Sequence, residues 1–262
     1  MCGIAGFSLD RESGIDRTLA AQALLAGIAE RGADAVGYAY RGREPQVSVH
    51  KQRTGATAML DALSVPDDAT EALVHVRDYT KGHPTLLANN HPIRHGSVVG
   101  IHNGVILNDE AIFERHGIAH AEAGMTVDSE AIFALMYRSR CERSALEELR
   151  GSMAAAWIDE RAPARLHLAR GVARPLWIGR TRREVFFAST KAALEIVEGA
   201  LRLTLRKQEV SEGRVLQLER GRIAAEERFR ADRSYRDEGL LPAVRAPQEQ
   251  ASCLAKLALL TA

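Results

Sequence analysis

The first 52 residues of the chain carry two kinds of apolar pattern. The runs "GIAGFSL", "VGYAYRG" and "QVSVHKQ" are short, with apolar residues at neighbouring or alternate positions, which is typical of β-strands. The run "TLAAQALLAGIAERG" repeats its apolar residues at helical spacing and ends on a glycine. This part of the chain therefore predicts a strand, a helix and two further strands.

The rest of the chain contains more strand-like runs than helical ones. The strand-like runs are "EALVHVR", "SVVGIHNGVIL", "GSMAAAWID", "ARLHLAR", "PLWIG" and "EVFFAS". Two segments, "VDSEAIFALMYRSR" and "STKAALEIVEG", have helical periodicity and begin with the acidic or Ser/Thr residues that favour helix starts. Adjacent strands at each end with helices between them predict an α+β fold with largely antiparallel sheets.

The composition changes near residue 221. The stretch "RIAAEERFRADRSYRDEG" is highly charged, "LLPAVRAPQEQ" contains two prolines, and "ASCLAKLALL" is apolar. We expect one domain over residues 2–220, and a charged linker with a short C-terminal segment over residues 221–262. This segment is either a weakly packed tail or a docking surface for a partner, and the sequence leaves both readings open.

Composition and charge exclude several function classes. Hydrophobic residues make up 46% of the 262 residues and the net charge is +1, so no overall positive field attracts nucleic acid or an anionic membrane. The sequence has neither a transmembrane-length apolar stretch nor a signal peptide, and we expect a cytoplasmic protein. Its three cysteines are far apart and its histidines match no common ligand spacing, so we expect no disulfide, metal or cofactor.

Cys2 is the first candidate for chemistry, because it follows the initiator methionine directly. If Met1 is removed, one residue carries both a thiol and a free α-amine, whose unperturbed pKa values are about 8.5 and about 8. The amine can then act as general base for its own thiol, which suits attack on an amide carbonyl. Taken alone, a cysteine at this position more often has no role.

Three further features could complete an amide-cleaving site for an amino acid. Asn103 and Gly104, in "GIHNGVI", can supply side-chain and backbone N–H donors to an oxyanion, although an Asn-Gly pair also ends many strands. Arg77, in "HVRDYTKG", can bind a carboxylate with two hydrogen bonds, or form a surface ion pair. Asp128, in "TVDSEAI", can accept from an ammonium group, or cap a helix.

Together these features form an ordered set of motifs: "MCGIAGF", "ERGADAVGYA", "HVRDYTKGHP", "NNHPI", "GIHNGVILND" and "VDSEAI". The set resembles the class II glutamine amidotransferases, N-terminal-nucleophile enzymes that include the glutaminase domains of glucosamine-6-phosphate synthase and amidophosphoribosyltransferase. The resemblance runs from residue 2 to about residue 220. It implies a four-layer αββα sandwich and hydrolysis of the glutamine side-chain amide through a thioester on Cys2.

The resemblance also implies a role for each matching residue. Cys2 is the nucleophile, and Asn103 and Gly104 form the oxyanion hole. Arg77 and Thr80 bind the glutamine α-carboxylate, and Asp128 binds the α-ammonium. Arg31, in the "RGxDxxG" stretch, organises the N-terminal strand and the site loop. His91 lines the glutamine pocket, although a histidine before Pro92 could also simply cap a turn.

One departure from the family pattern bears on the substrate. The family usually has an aromatic and then a small residue after the arginine, whereas this chain has Asp78 and Tyr79. An acidic residue there could change glutamine affinity or indicate another γ-glutamyl substrate. Two alternatives therefore remain: a stand-alone γ-glutamyl amide hydrolase, and a non-catalytic module that senses glutamine or docks a partner.

The resemblance implies a recipient for the ammonia that is released. About 40 residues follow the matched region, too few for the synthase domains found in fused family members. The synthase is then a separate chain, or the protein is a stand-alone hydrolase, or the sequence is a fragment of a longer protein. A separate subunit fits the C-terminal segment best, so we expect a separate synthase or ligase chain as partner, with L-glutamine as substrate and no nucleic-acid or membrane partner.

Overall fold

Two antiparallel β-sheets form the centre of the protein. The computed structural model describes residues 2–236 and 244–261. The strands in these ranges are β1 (Gly3–Leu9), β2 (Ala35–Arg41), β3 (Ser48–Gln52), β4 (Glu71–Arg77), β5 (Ile93–His95), β6 (Val98–Ile106), β7 (Gly151–Asp159), β8 (Arg165–Arg170), β9 (Trp177–Arg180), β10 (Glu184–Ala188), β11 (Arg206–Glu209), β12 (Arg214–Glu219) and β13 (Arg222–Arg228). The α-helices are α1 (Arg17–Ile28), α2 (Ala56–Leu60), α3 (Asp109–His116), α4 (Glu130–Ser139), α5 (Lys191–Leu201) and α6 (Pro247–Leu260).

The strands divide between the sheets in a way that places β1 and β6 in opposite layers. The first sheet has the order β11-β9-β10-β1-β4-β2-β3, and the second has the order β13-β12-β8-β7-β6-β5. Within the first sheet β1 is central, because it pairs with β4 on one side and β10 on the other. In the second sheet β6 pairs with β5 and β7.

The alternation of side chains along the strands produces four layers. In β1, Phe7 and Leu9 face the helices, whereas Ile4 faces the other sheet. In β7, Trp157 faces the helices on the opposite side, whereas Ile158 faces the first sheet. Helices α1, α2, α5 and α6 cover the first sheet, and α3 and α4 cover the second. The predicted α+β class and αββα sandwich are therefore confirmed.

Helix α1 begins where its local sequence provides a cap. The Asp16 side chain accepts a hydrogen bond from the backbone N–H of Leu19 at 2.9 Å, which satisfies a donor of the first turn. The helix ends in a 3-10 turn, Ala29–Arg31, and Gly32 follows it in extended conformation. Most residues of α1 are buried, because α5 and α6 pack against it in addition to β1 and β4 of the sheet.

The charged stretch after residue 220 differs from the expected linker. Residues Arg222–Arg228 form β13, which pairs with β12 at the edge of the second sheet. Its exposed side chains alternate with half-buried ones, as expected for an edge strand, and the high charge of the segment hid this pattern. Residues 237–243 lie outside the described residues. A partner-docking role for the C-terminal segment stays a prediction.

Candidate active site

Cys2 lies where the ends of three strands meet. It directly precedes β1, and the pairing of Gly3 with Val76 places it beside Arg77, the last residue of β4. Strand β6 of the second sheet packs against both strands and brings Gly104 to the same end of the sandwich. A narrow pocket forms there, lined by Cys2, Arg77, Tyr79, Thr80, Lys81, His91, His102, Gly104, Val127, Asp128 and Ser129.

The structure brings six of the eight predicted site residues into the lining of this pocket: Cys2, Arg77, Thr80, His91, Gly104 and Asp128. The other two lie directly behind the lining. Asn103 precedes Gly104 in β6 and is fully buried. Arg31 is also buried and contacts the backbone of Cys2.

Cys2 is held at two points, its thiol and its backbone carbonyl. Its Sγ donates to the backbone carbonyl of Asp78 at 3.5 Å, and its own carbonyl accepts from Nε of Arg31 at 2.9 Å. Burial raises the pKa of the Cys2 thiol, and the positive charge of Arg77 opposes this effect. Met1 lies outside the described residues, so the predicted free α-amine of Cys2 stays a prediction.

Asn103 and Gly104, the predicted oxyanion residues, lie in a buried and conformationally unusual part of β6. The side-chain amide of Asn103 is fully buried, and neither its nitrogen nor its oxygen has a hydrogen-bond partner among the described residues. Burying such a polar atom costs free energy unless it finds a hydrogen-bond partner outside the described residues. Gly104 has φ +149°, and a Cβ there would lie 2.0 Å from the carbonyl oxygen of Ser152, so only glycine fits.

Arg77 is buried and holds the loop that follows β4. Its Nη1 donates to Oδ1 of Asn90 at 2.5 Å, and its Nη2 donates to the backbone carbonyls of Lys81 and Gly82. These bonds do not use its Nε–H or its second Nη1–H. Arg77 therefore orders the loop that forms one wall of the pocket and keeps further donors for a bound anion.

Asp128 precedes α4 and is almost fully buried. Its Oδ2 accepts a hydrogen bond from the backbone N–H of Ile106, in β6, at 2.6 Å. Burial raises the pKa of Asp128 to about 6, and the hydrogen bond from Ile106 opposes this rise. The carboxyl group is thus tied to β6 and lines the pocket, where it can accept from a cation.

Three buried histidines lie at the pocket: His91 and His102 line it, and His75 on β4 contacts His102 on β6 and so joins the two sheets. His75 and His91 stack with ring centroids 4.2 Å apart, and Nε2 of His75 lies 3.1 Å from the backbone carbonyl of His102. Burial lowers the pKa of His75 and of His102 to about 3 and that of His91 well below its usual range. All three are therefore neutral near pH 7. Neither ring nitrogen of His91 has a partner among the described residues.

The "RGxDxxG" stretch supports the site from behind. Arg31 fixes the carbonyl of Cys2, and Asp34 Oδ2 accepts from the backbone N–H of Tyr79 at 2.9 Å. A Cβ on Gly32 would lie 2.4 Å from the carbonyl of Arg77, so this close approach requires glycine. The motif therefore connects the N-terminal strand to the loop after β4.

A family model described as a glutamine amidotransferase domain matches residues 65–195, which is half of the chain. The chain belongs to this family. The match and the two-sheet fold together make it a class II glutamine amidotransferase domain of the N-terminal-nucleophile type, a family of enzymes. The resemblance inferred from the six motifs is confirmed.

Relatives of this amidotransferase domain include the glutamine–fructose-6-phosphate aminotransferases. The protein of Haemophilus ducreyi is 29% identical over 240 residues, and that of Idiomarina loihiensis is 30% identical over 208 residues. These matches cover 86% and 74% of this chain. The chain spans only 36% and 32% of the length of these two relatives.

Solved structures share the fold of this amidotransferase domain. The glutamine phosphoribosylpyrophosphate amidotransferase of B. subtilis superposes with a TM-score of 0.68 at 20% identity, over 87% of this chain and 49% of its own. A glutamine aminotransferase class-II domain protein from Silicibacter pomeroyi superposes with a TM-score of 0.56 at 18% identity, over 87% of this chain and 100% of its own.

The described part of the amidotransferase domain lacks two features. Over residues 2–236 and 244–261, no helix has the length and apolarity needed to cross a membrane. Over the same residues, no group of three or more His, Cys, Asp and Glu side chains could hold a metal ion.

Sequence reasoning did not predict five of the residues that line the pocket: Tyr79, Lys81, His102, Val127 and Ser129. Lys81 forms ion pairs with Asp109 at 2.7 Å and Glu110 at 3.1 Å, both at the start of α3. These ion pairs attach the loop after β4 to the second sheet's helical layer. The only available signal was the proximity of Lys81 to Arg77 in sequence, which does not reveal a partner 28 residues away.

Proposed function

We propose that this amidotransferase domain hydrolyses the side-chain amide of L-glutamine to glutamate and ammonia, with Cys2 as the nucleophile. The observation that carries the proposal is the meeting of Cys2, Arg77, Gly104 and Asp128 in one pocket. A thiol, a glycine with positive φ, a cation and an anion then surround one small volume. Free glutamine requires this combination, because it presents an amide, a carboxylate and an ammonium group.

The proposed reaction begins at the N-terminus after removal of Met1. The α-amine of Cys2 takes the thiol proton, and the thiolate attacks the δ-carbon of glutamine. The resulting oxyanion accepts from the backbone N–H of Gly104 and the side-chain amide of Asn103. The ammonium of Cys2 returns the proton to the departing nitrogen, the C–N bond breaks, and ammonia leaves. Water then adds to the thioester and releases glutamate.

Substrate orientation follows from the charges of the pocket. Arg77 places its remaining N–H donors toward the α-carboxylate, with Thr80 beside it, and Asp128 accepts from the α-ammonium. The buried amide of Asn103 and the unpartnered ring of His91 support substrate binding in this pocket. Both need a hydrogen-bond partner that the described protein atoms do not provide. Arg31 acts indirectly, since it holds the carbonyl of Cys2.

The released ammonia passes from this domain to a second enzyme, which uses it to form a new C–N bond. This second enzyme is a separate synthase or ligase chain. The names of the relatives support an amino-group transfer role, since those proteins are aminotransferases that use glutamine. Co-purification of the untagged protein, followed by glutamine-dependent amination in the recovered complex, tests this part of the proposal. Amination at the same rate without this chain would contradict it.

The acidic departure at Asp78 does not favour another substrate. Its carboxylate forms an ion pair with Arg245 at 3.3 Å, so its charge is partly neutralised. Comparing the turnover of glutamine with that of γ-glutamyl amides decides between the two substrate classes. Equal or better turnover of the γ-glutamyl amides would show that they, and not free glutamine, are the substrate.

Labelling with 6-diazo-5-oxo-L-norleucine tests the nucleophile. We expect one adduct, located on Cys2, in protein that has lost Met1. The Cys2→Ser variant should lose the adduct and glutamate release while keeping its circular dichroism spectrum, and the Cys253→Ser variant should keep both. Absence of an adduct in Met1-free wild type would favour the non-catalytic module.

A further inference from the structure

The segment that precedes α6 lies against two loops of the candidate active site. The backbone N–H groups of Arg245 and Ala246 both donate to the carbonyl of Glu30, at 2.7 and 2.8 Å. The Arg245 side chain turns to the other loop, where its Nε lies 3.3 Å from Oδ2 of Asp78. One short stretch of chain, more than 160 residues away from both loops in sequence, therefore bridges them.

Each of the two loop residues that are contacted is itself a hydrogen-bond partner of Cys2 or is next to one in sequence. Glu30 directly precedes Arg31, whose Nε donates to the Cys2 carbonyl. Asp78 itself accepts the hydrogen bond from the Cys2 thiol through its backbone carbonyl. A shift of either loop therefore moves a direct partner of Cys2.

The charge of Asp78 is unfavourable for the proposed chemistry. It follows Arg77 directly, so an unneutralised carboxylate there opposes both a thiolate on Cys2 and a substrate carboxylate on Arg77. Arg245 places a guanidinium on this carboxylate. The pair is partly exposed, with side-chain exposures of 38% for Arg245 and 18% for Asp78, so its effect is moderate.

We propose that Arg245 is a positioning residue for the Cys2 site, which acts through Asp78 by holding its loop against the thiol and neutralising its carboxylate. This inference rests on the proposed function, in which Cys2 attacks glutamine. It also gives the segment before α6 a defined task within this chain.

Independent contacts keep the segment docked when the Arg245 side chain is removed. Glu249 accepts from the backbone N–H and the hydroxyl of Thr57, at 2.8 and 2.9 Å. Cys253 is fully buried, and Lys256 forms an ion pair with Asp61. Truncating Arg245 therefore removes one ion pair without releasing α6.

The test compares Arg245→Ala, Arg245→Lys and Lys256→Ala. We expect Arg245→Ala to raise KM for glutamine about two- to fivefold with a smaller change in kcat, the size that a partly exposed ion pair supports. Arg245→Lys should restore most of the loss, and Lys256→Ala should behave as wild type, because its ion pair with Asp61 involves neither of the two loops that contact Cys2. Equal effects of Arg245→Ala and Lys256→Ala would overturn the proposal.

A second measurement does not depend on turnover. Peptide mass spectrometry can follow the rate at which iodoacetamide alkylates Cys2. This rate reports how readily Cys2 forms a thiolate near the charges of Arg31, Arg77, Asp78 and Asp128. We expect its pH profile to move to higher pH in Arg245→Ala, because the positive charge of Arg245 then no longer offsets the Asp78 carboxylate. Alkylation that shifts while no variant turns over glutamine would retain the positioning role and reject the proposed function.

A double-mutant cycle assigns the effect to Asp78. In an Asp78→Asn background, Arg245→Ala should change KM and the alkylation profile much less than it does in the wild type. An undiminished effect in that background would show that Arg245 does not act through Asp78.

Discussion

Cys2 and its immediate partners define the proposed chemistry at the scale of single residues. The thiol contacts the Asp78 carbonyl, and its backbone is fixed by Arg31. Neither contact involves a side chain that could serve as general base for the thiol. The proposed base is therefore the α-amine of Cys2 itself, which exists only when no residue precedes it.

Inserting one alanine between Met1 and Cys2 should abolish glutaminase activity. The thiol then keeps its place in the chain but loses the amine, and general-base catalysis contributes about 10²- to 10⁴-fold to such reactions. Glutamate release measures the loss, and thermal unfolding verifies that the fold is intact. Full activity in the insertion variant would rule out the N-terminal mechanism.

Asp128→Asn should separate stability from substrate binding. Burial raises the pKa of Asp128 to about 6 from its usual 3.8, so at neutral pH its charge destabilises the folded state. The linkage predicts that the variant gains about 1–3 kcal/mol of unfolding free energy at pH 7.5. Glutamine binding should weaken at least tenfold, since the partner of the α-ammonium is lost.

The pH dependence of this gain provides the control. Above pH 6 the carboxyl is ionised in both folded and unfolded wild type, and the full gain is present. As the pH falls from 6 to 3.8 the folded state becomes protonated first, so the gain should shrink and nearly vanish at pH 3.5. Urea titrations at the two pH values measure it. A gain that is independent of pH would contradict the burial argument.

At the scale of elements, β6 links the site to the second sheet. Gly104 lies within this strand at φ +149°, and its neighbour Asn103 is directed into the interior without a protein partner among the described residues. The strand pairs with β7 through this region, with Gly104 opposite Met153. The irregular backbone at Gly104 is therefore maintained by a complete antiparallel ladder on one side.

Gly104→Ala should destabilise the fold by about 2–4 kcal/mol, because the added Cβ meets the Ser152 carbonyl and the backbone conformation is disfavoured for alanine. Gly199→Ala in α5 is the matched control. An added Cβ there meets no atom within 4 Å, and alanine should stabilise the helix by about 0.5–1 kcal/mol. Denaturant unfolding compares the two. Equal stability of both variants would contradict this account of β6.

At the scale of the whole molecule, the histidine group at the sheet interface couples folding to pH. His75 on β4 contacts the His102 carbonyl on β6, and Nδ1 of His102 lies 2.8 Å from the Ser129 hydroxyl before α4. Three layers of the sandwich therefore meet at neutral imidazoles. Protonating any of these rings would place a positive charge at a buried position, which costs free energy.

Stability should fall as the pH drops from 6.5 toward 4.5. The pKa of His75 and of His102 is about 3 in the folded state and 6.5 in the unfolded one, so the unfolded state binds more protons in this window. Each of these two histidines should lower the free energy of unfolding by about 1.4 kcal/mol per pH unit. The uptake of a proton by Asp128 in the folded state should partly offset this loss. His102→Gln should reduce the slope measured by urea unfolding, whereas His50→Gln, at an exposed position, should not.

Local patterns in the sequence were sufficient for much of the fold and part of the site. The strands β1, β4, β6, β7 and β10 and the helices α1, α4 and α5 coincide with the apolar runs, because most of the residues that each of them buries are apolar, since burial favours apolar side chains. The edge strand β13 was missed, since half of its side chains are exposed and charged. Short elements such as α2 and β5 carry too few residues for a period to be visible.

The sequence by itself determined most of the long elements, the family and the candidate residues, because periodicity and ordered motifs are local properties of the chain. Only the tertiary structure decided that Cys2 faces the Asp78 carbonyl, that Lys81 attaches its loop to α3, and that Arg245 lies on Asp78. These contacts join residues 28 to 167 positions apart, and they follow from how sheets and helices pack rather than from any local pattern.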